Sequence, residues 1–180
     1  MNRPLLEAQL AQLPIAQYEF FKPEELEFSH RIRTVCREEC PRYGKTWACP
    51  PGVGTVEACK ARCLSYSHGL LISTMTEVSD LSDMAECLAT RGPHEVLTRQ
   101  VRELLRQQGL EVYALSTESC ALCESCSYPD APCRHEDKML PCVESHGIIV
   151  TALAEACGID CQSGSNLVTW FSLLLFREAT

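Results

Sequence analysis

The sequence has no hydrophobic run long enough to cross a bilayer. A spanning helix needs about 18 or more consecutive apolar residues, and the longest apolar stretch, residues 168–176, is interrupted by Thr169 and Ser172. The first thirteen residues have no basic segment leading into an apolar core, so they do not read as an export signal. A basic excess is also missing. Sixteen Lys and Arg stand against 24 Asp and Glu, a formal charge of −8, which argues against a nucleic-acid partner. There is no GxGxxG or Walker loop, no Gly-x-Ser-x-Gly and no His-Glu-x-x-His. The five histidines, His30, His68, His94, His135 and His146, lack ligand spacing, and most read as surface or internally satisfied side chains. These absences predict a cytoplasmic chain with no membrane or nucleic-acid partner, and they supply no acid–base constellation.

Cysteine is present in excess: thirteen in 180 residues. A secreted disulfide scaffold shows an even count on a shorter chain with an export signal, and none of these applies. In a reducing compartment the thiols read as metal ligands or small buried hydrophobes. Their distribution separates the two. Cys120-x2-Cys123-x2-Cys126 is followed by Cys133, with Pro132 just before it. Three cysteines at three-residue spacing can wrap a loop around three corners of a cubane, with a fourth arriving later, which is [4Fe–4S] ligand logic. The alternative is structural zinc, which prefers two separated Cys-x2-Cys pairs. Cys142 trails this group as an extra thiol.

A second candidate site lies earlier, in VCREECPRYGKTWACPPG. Cys36, Cys40 and Cys49 supply three thiolates on a loop stiffened by proline and glycine. Tyr43 and Trp47 are placed to shield a cluster, and Lys45 to offset its charge. The fourth ligand is open. Cys59 and Cys63 share one helix face with Val56 and Tyr66, which reads as a core face, though either thiol could reach the site. With three ligands only, an exposed iron would make the site enzymatic. Cys157-x3-Cys161 could add late ligands or face the core, and Cys87 stands apart.

Periodicity predicts helices over residues 4–13, 55–66, 79–88, 93–109 and 151–157, and a helical turn over 29–38. Their signals are Thr55 and Ser79 as caps, Pro93 as a helix start, and Gly109 and Gly158 as ends. Strands are predicted over residues 16–21, 69–74, 110–115 and 168–176, the last a central strand, with an extended piece at 148–150. Residues 41–54 and 116–140 read as loops. The fold class is α/β, a mixed sheet covered by helices with two cysteine-rich metal-binding loops. Residues 1–180 read as one cysteine-rich domain, in which 1–28 form an N-terminal helix and strand.

The segments CPRYGKTWACPPGVGTVEAC and CALCESCSYPDAPCRHEDKMLPCVESHGI resemble the domain-of-unknown-function 2284 family, predicted cysteine-rich metal-binding proteins found mainly in anaerobic bacteria and archaea. The similarity covers roughly residues 30–176. Cys36, Cys40 and Cys49 match its first motif, Cys120, Cys123, Cys126 and Cys133 its second, and Glu144 with Gly147-Ile148 the helix approach that follows. The chain departs at Glu136, where the pattern has proline, and at Cys142, where it has another residue type. The resemblance implies metal binding. Together these readings lead to a cytoplasmic iron–sulfur protein of an anaerobe with two [4Fe–4S] clusters, or one, relaying electrons to a redox partner protein. The alternatives are an enzyme with an open-iron cluster at Cys36, Cys40 and Cys49, and a zinc-stabilised binding module.

Overall fold

The computed structural model describes residues 1–161 and 164–179. Four strands, β1 (Gln17–Phe21), β2 (His68–Glu77), β3 (Leu110–Leu115) and β4 (Leu167–Glu178), form one sheet in the order β1-β2-β4-β3. β4 is central, as its apolar β-branched run predicts. Helices α1 (Arg3–Leu10), α2 (His30–Glu38), α3 (Val56–Leu64), α4 (Met84–Ala89), α5 (Arg91–Gln107) and α6 (Val150–Ala156) complete the regular structure, with 3-10 turns at Pro23–Glu25 and Glu144–His146. Among the described residues no helix is long and apolar enough to cross a membrane.

Side chains alternate across a strand, and here both faces of the sheet are covered. Leu71, Phe171, Leu173 and Leu175 pack with Cys63 of α3 and with Leu153 and Ala154 of α6. Leu70, Ile72, Leu174 and Phe176 pack with Leu6 and Leu10 of α1 and with Val101 and Leu105 of α5. A strand buried on both sides reads as a continuous apolar run, which is why residues 173–176 show no alternation.

The α/β architecture with helices over a sheet is the one expected, but the sheet is not mixed: all three strand pairs are antiparallel. The apolar pattern sets which face is buried and is blind to strand direction. Several ends also move. α4 is capped by Asp83, whose carboxylate accepts from the amides of Ala85 and Glu86, and Ser79 instead donates its hydroxyl to Glu86 at 2.6 Å. α5 starts at Arg91, so Pro93 sits inside the first turn, where a missing amide costs nothing. Thr55 does cap α3, accepting from the Ala58 amide at 3.1 Å.

Candidate metal centre

Residues 116–143 leave the edge strand β3 and return beside their starting point. The Ser116 amide donates to Pro141, and the Val143 amide to Ser116. Loops of this length without regular structure are uncommon in compact proteins and usually functional. This one is pinned from within. The Ser127 hydroxyl donates to the Pro132 carbonyl at 2.8 Å, and Arg134 Nη1 donates to the Ser125 carbonyl at 2.8 Å. From outside, Arg99 of α5 donates to the Lys138 carbonyl. The result brings Cys120, Cys123, Cys126 and Cys133 to the wall of one small cavity, together with Trp47, Leu122, Arg134, His135 and Met139. All four are half-buried free thiols. Burial pushes the Cys120 thiol up, its contact with the Leu122 backbone opposes this, and Glu95, Cys133 and Cys126 add to the rise.

The first cysteine loop is a series of tight turns. The Gly44 amide donates to Pro50, Val53 to Cys49 and Gly54 to Pro51. Gly52 has no room for a side chain, because a Cβ there would stand 2.8 Å from the Thr46 carbonyl oxygen. The loop is tied to the second one by Thr46 Oγ1, 3.2 Å from Ser119 Oγ in a buried contact, and by Trp47. Trp47 and Ala48 thus line the cavity of the second group, of which Cys49 is not a lining residue. Burial raises the Cys36 thiol, and Cys40, Cys49 and Glu144 raise it further against the opposing charge of Arg33. Cys36, Cys40 and Cys49 therefore lie within electrostatic reach of one another.

The fourth thiol beside them is Cys142. Its amide donates to the Ala48 carbonyl at 3.2 Å, and its thiol is buried and pushed well above the usual range by burial, then by Glu144, with Cys49 contributing. Cys142 Sγ donates to Glu144 Oε2 at 2.8 Å, and burial in turn raises the Glu144 carboxyl. Gly147 fixes this geometry. Its φ is +76°, a Cβ would meet the Ser29 carbonyl oxygen at 3.1 Å, and its own carbonyl accepts from the Ser29 amide at 2.7 Å. Ser29 caps α2, so this one contact sets Cys36 of α2 against the turn that carries Glu144. Cys142 thus lies beside Cys49 and Glu144, although in the chain it trails the second group. Chain order hides this because it depends on how a long loop closes. The one available signal was the Glu144–Gly147 motif two residues on.

The other thiols are elsewhere. Cys59 and Cys63 are fully buried, and Cys63 packs in the core beneath β2 and β4. Cys59 donates to the Val53 carbonyl and accepts from Arg33. Burial raises Cys63 to about 12. Cys157 and Cys161 pack against the same core, and the Cys87 thiol donates to the Leu81 carbonyl. Among the described residues, no group of three or more His, Cys, Asp or Glu side chains is already arranged so that it could hold a metal ion.

A family model described as a predicted metal-binding protein of DUF2284 matches residues 19–176. The chain belongs to that family. Both cysteine loops fall inside the matched region. No curated protein and no solved structure matched the chain. Metal binding is thus the family's predicted property, and this chain's donor chemistry suits it. Four thiols line one cavity, and the charges of Cys40 and Cys49 act on Cys36 and that of Cys49 on Cys142. All thirteen cysteines are free. Soft thiolate donors select zinc, copper(I) or iron–sulfur clusters over hard cations.

Proposed function

We propose that this member of the family is an iron–sulfur protein with two [4Fe–4S] clusters, which passes electrons to a partner protein in the reducing cytoplasm. The observation that carries the reading is the single cavity lined by Cys120, Cys123, Cys126 and Cys133. Cysteine triples at this spacing with a later fourth ligand are a cubane pattern. Cys36, Cys40, Cys49 and Cys142 form the second ligand set. With Cys142 that set is closed, which favours electron transfer over an open-iron enzyme. When bound, the clusters supply one-electron chemistry. The protein's own residues hold them, exclude water with Trp47, Leu122 and Met139, and place the positive side chains Arg33 and Arg134 nearby.

The partner is a redox protein that docks a basic region on this acidic surface of formal charge −8. Electron exchange with it slows as ionic strength rises. The deciding experiment is anaerobic purification with iron and acid-labile sulfide analysis. Eight irons per chain in a brown protein, halved by Cys123→Ala, is the expected result. A colourless protein with stoichiometric zinc would replace this reading with a zinc-stabilised binding module.

A further inference from the structure

Beside the second cysteine loop lies a cleft of about 690 Å³ along the free edge of β3. That is the size of pocket that encloses a small organic ligand. Its helix wall carries Arg102 and Arg106, one turn apart on α5, and Arg62 of α3 faces them. Arg102 is only 9% exposed, and its Nε is sealed from solvent with no hydrogen-bond partner. Its neighbours Arg99 and Arg91 both pair with Glu95. Among the described residues, neither Arg102 nor Arg106 forms an ion pair. Burying a guanidinium without a paired anion is expensive, and an arginine fork is shaped to take two oxygens of one carboxylate or phosphate. The space between the walls is apolar, with Trp47, Pro132 and Met139.

We propose that this cleft binds a small organic anion, its carboxylate or phosphate head held by Arg102 and Arg106 and its apolar body laid against Trp47 and Met139. Glu136 and Asp137 also line the cleft, with Asp137 close enough to Arg102 for its charge to act on the guanidinium. Those carboxylates repel a long polyanion and leave room for one compact head group. The cleft shares Trp47, Cys133 and Met139 with the cavity of the four thiols. A ligand seated here lies against Cys133, so on the iron–sulfur reading it is positioned as a substrate or regulator of that cluster. The binding claim itself stands without that reading.

The test is calorimetric titration of the full-length protein with phenyl phosphate and, separately, with benzoate. At least one is expected to bind, and whichever does identifies the head group. Arg106→Gln, at an exposed position that leaves the fold intact, and Arg102→Gln are each expected to weaken it tenfold or more, while Arg31→Gln on α2 leaves it unchanged. Arg106→Gln protein is expected to keep the wild type's iron and sulfide content, so the pocket and the cluster reading can fail separately. Absence of binding by both compounds at millimolar concentration, or affinity unaltered by Arg106→Gln, overturns the proposal.

Discussion

Trp47 reaches from the first cysteine loop and donates its indole N–H to the carbonyl oxygen of Ala131, 3.0 Å away in the second. Its ring meets Tyr128 edge to face at 4.9 Å. One side chain therefore clamps two loops that have little regular structure of their own. Trp47→Phe removes the hydrogen bond and part of the ring's packing, and is expected to cost about 2 kcal/mol. Trp47→Ala also strips the wall of the second cavity and is expected to cost about 3 kcal/mol. Urea denaturation measures both. Hydrogen exchange should rise in both loops and stay unchanged in β2 and β4.

Cys142 and Cys63 are both buried thiols, yet they are expected to respond differently to truncation. Cys63 packs among Leu71, Leu173 and Leu153, so Cys63→Ala should lower stability by about 1 kcal/mol and leave the iron content unchanged. Cys142 faces Cys49 and Glu144, so Cys142→Ala should halve the iron and sulfide per chain. Equal iron in the two variants would return Cys142 to the role of a packing residue and reopen the three-ligand site.

These two residues also mark where the sequence was readable. α3 places Cys59 and Cys63 on one face by helical period alone, so their core role was legible from spacing. β3 was legible over Leu110–Leu115 because Gly109 ends the preceding helix and the apolar run follows directly. That the four cysteines of the second group line one cavity follows from their closeness in the chain, within fourteen residues. Cys142 was not legible, because its place depends on loop closure at Ser116 and a bond to Ala48, contacts with no periodic trace. Arg102 was hidden for another reason. On an amphipathic helix it reads as one more charged residue until the loop of residues 129–141 is seen to cover it. Strand direction was beyond reach, since β1 and β2 carry the same apolar pattern in either orientation.

His94 lies within hydrogen-bond distance of Thr74 Oγ1 at 2.8 Å and Ser172 Oγ at 2.7 Å, and burial lowers its pKa from 6.5 to about 4. In the unfolded chain the imidazole takes up a proton near its ordinary pKa, whereas in the fold it does so only near 4. The unfolded state thus binds more protons between these values, and stability rises with pH there. The contribution is full above pH 6.5 and is lost as the pH falls toward 4, by up to about 3 kcal/mol. His146, also buried and lowered to about 4, adds a similar slope. Urea midpoints between pH 5 and 7.5, where most carboxylates stay ionised, are expected to fall with acid. His94→Gln should remove about half of that slope, and an unchanged slope would mean that His94 is protonated in the fold.

On the two-cluster reading, Ala48 stands between the two proposed ligand sets. Trp47 and Ala48 line the second cavity, the Ala48 carbonyl holds the amide of Cys142, and Cys49 follows at the next Cα, about 3.8 Å along the chain. On that reading, metal centres held on the two sides of this turn are near enough for their unpaired spins to interact. Fully reduced, loaded protein is therefore expected to give a broadened paramagnetic resonance spectrum. Cys123→Ala and Cys142→Ala should each leave one centre and a narrower, simpler signal. Such narrowing in both variants would support a relay through Ala48, because electron exchange across that turn needs the same proximity. A double-loaded protein whose spectrum equals the sum of the two variants' spectra would separate the centres and remove the relay, leaving each to act alone.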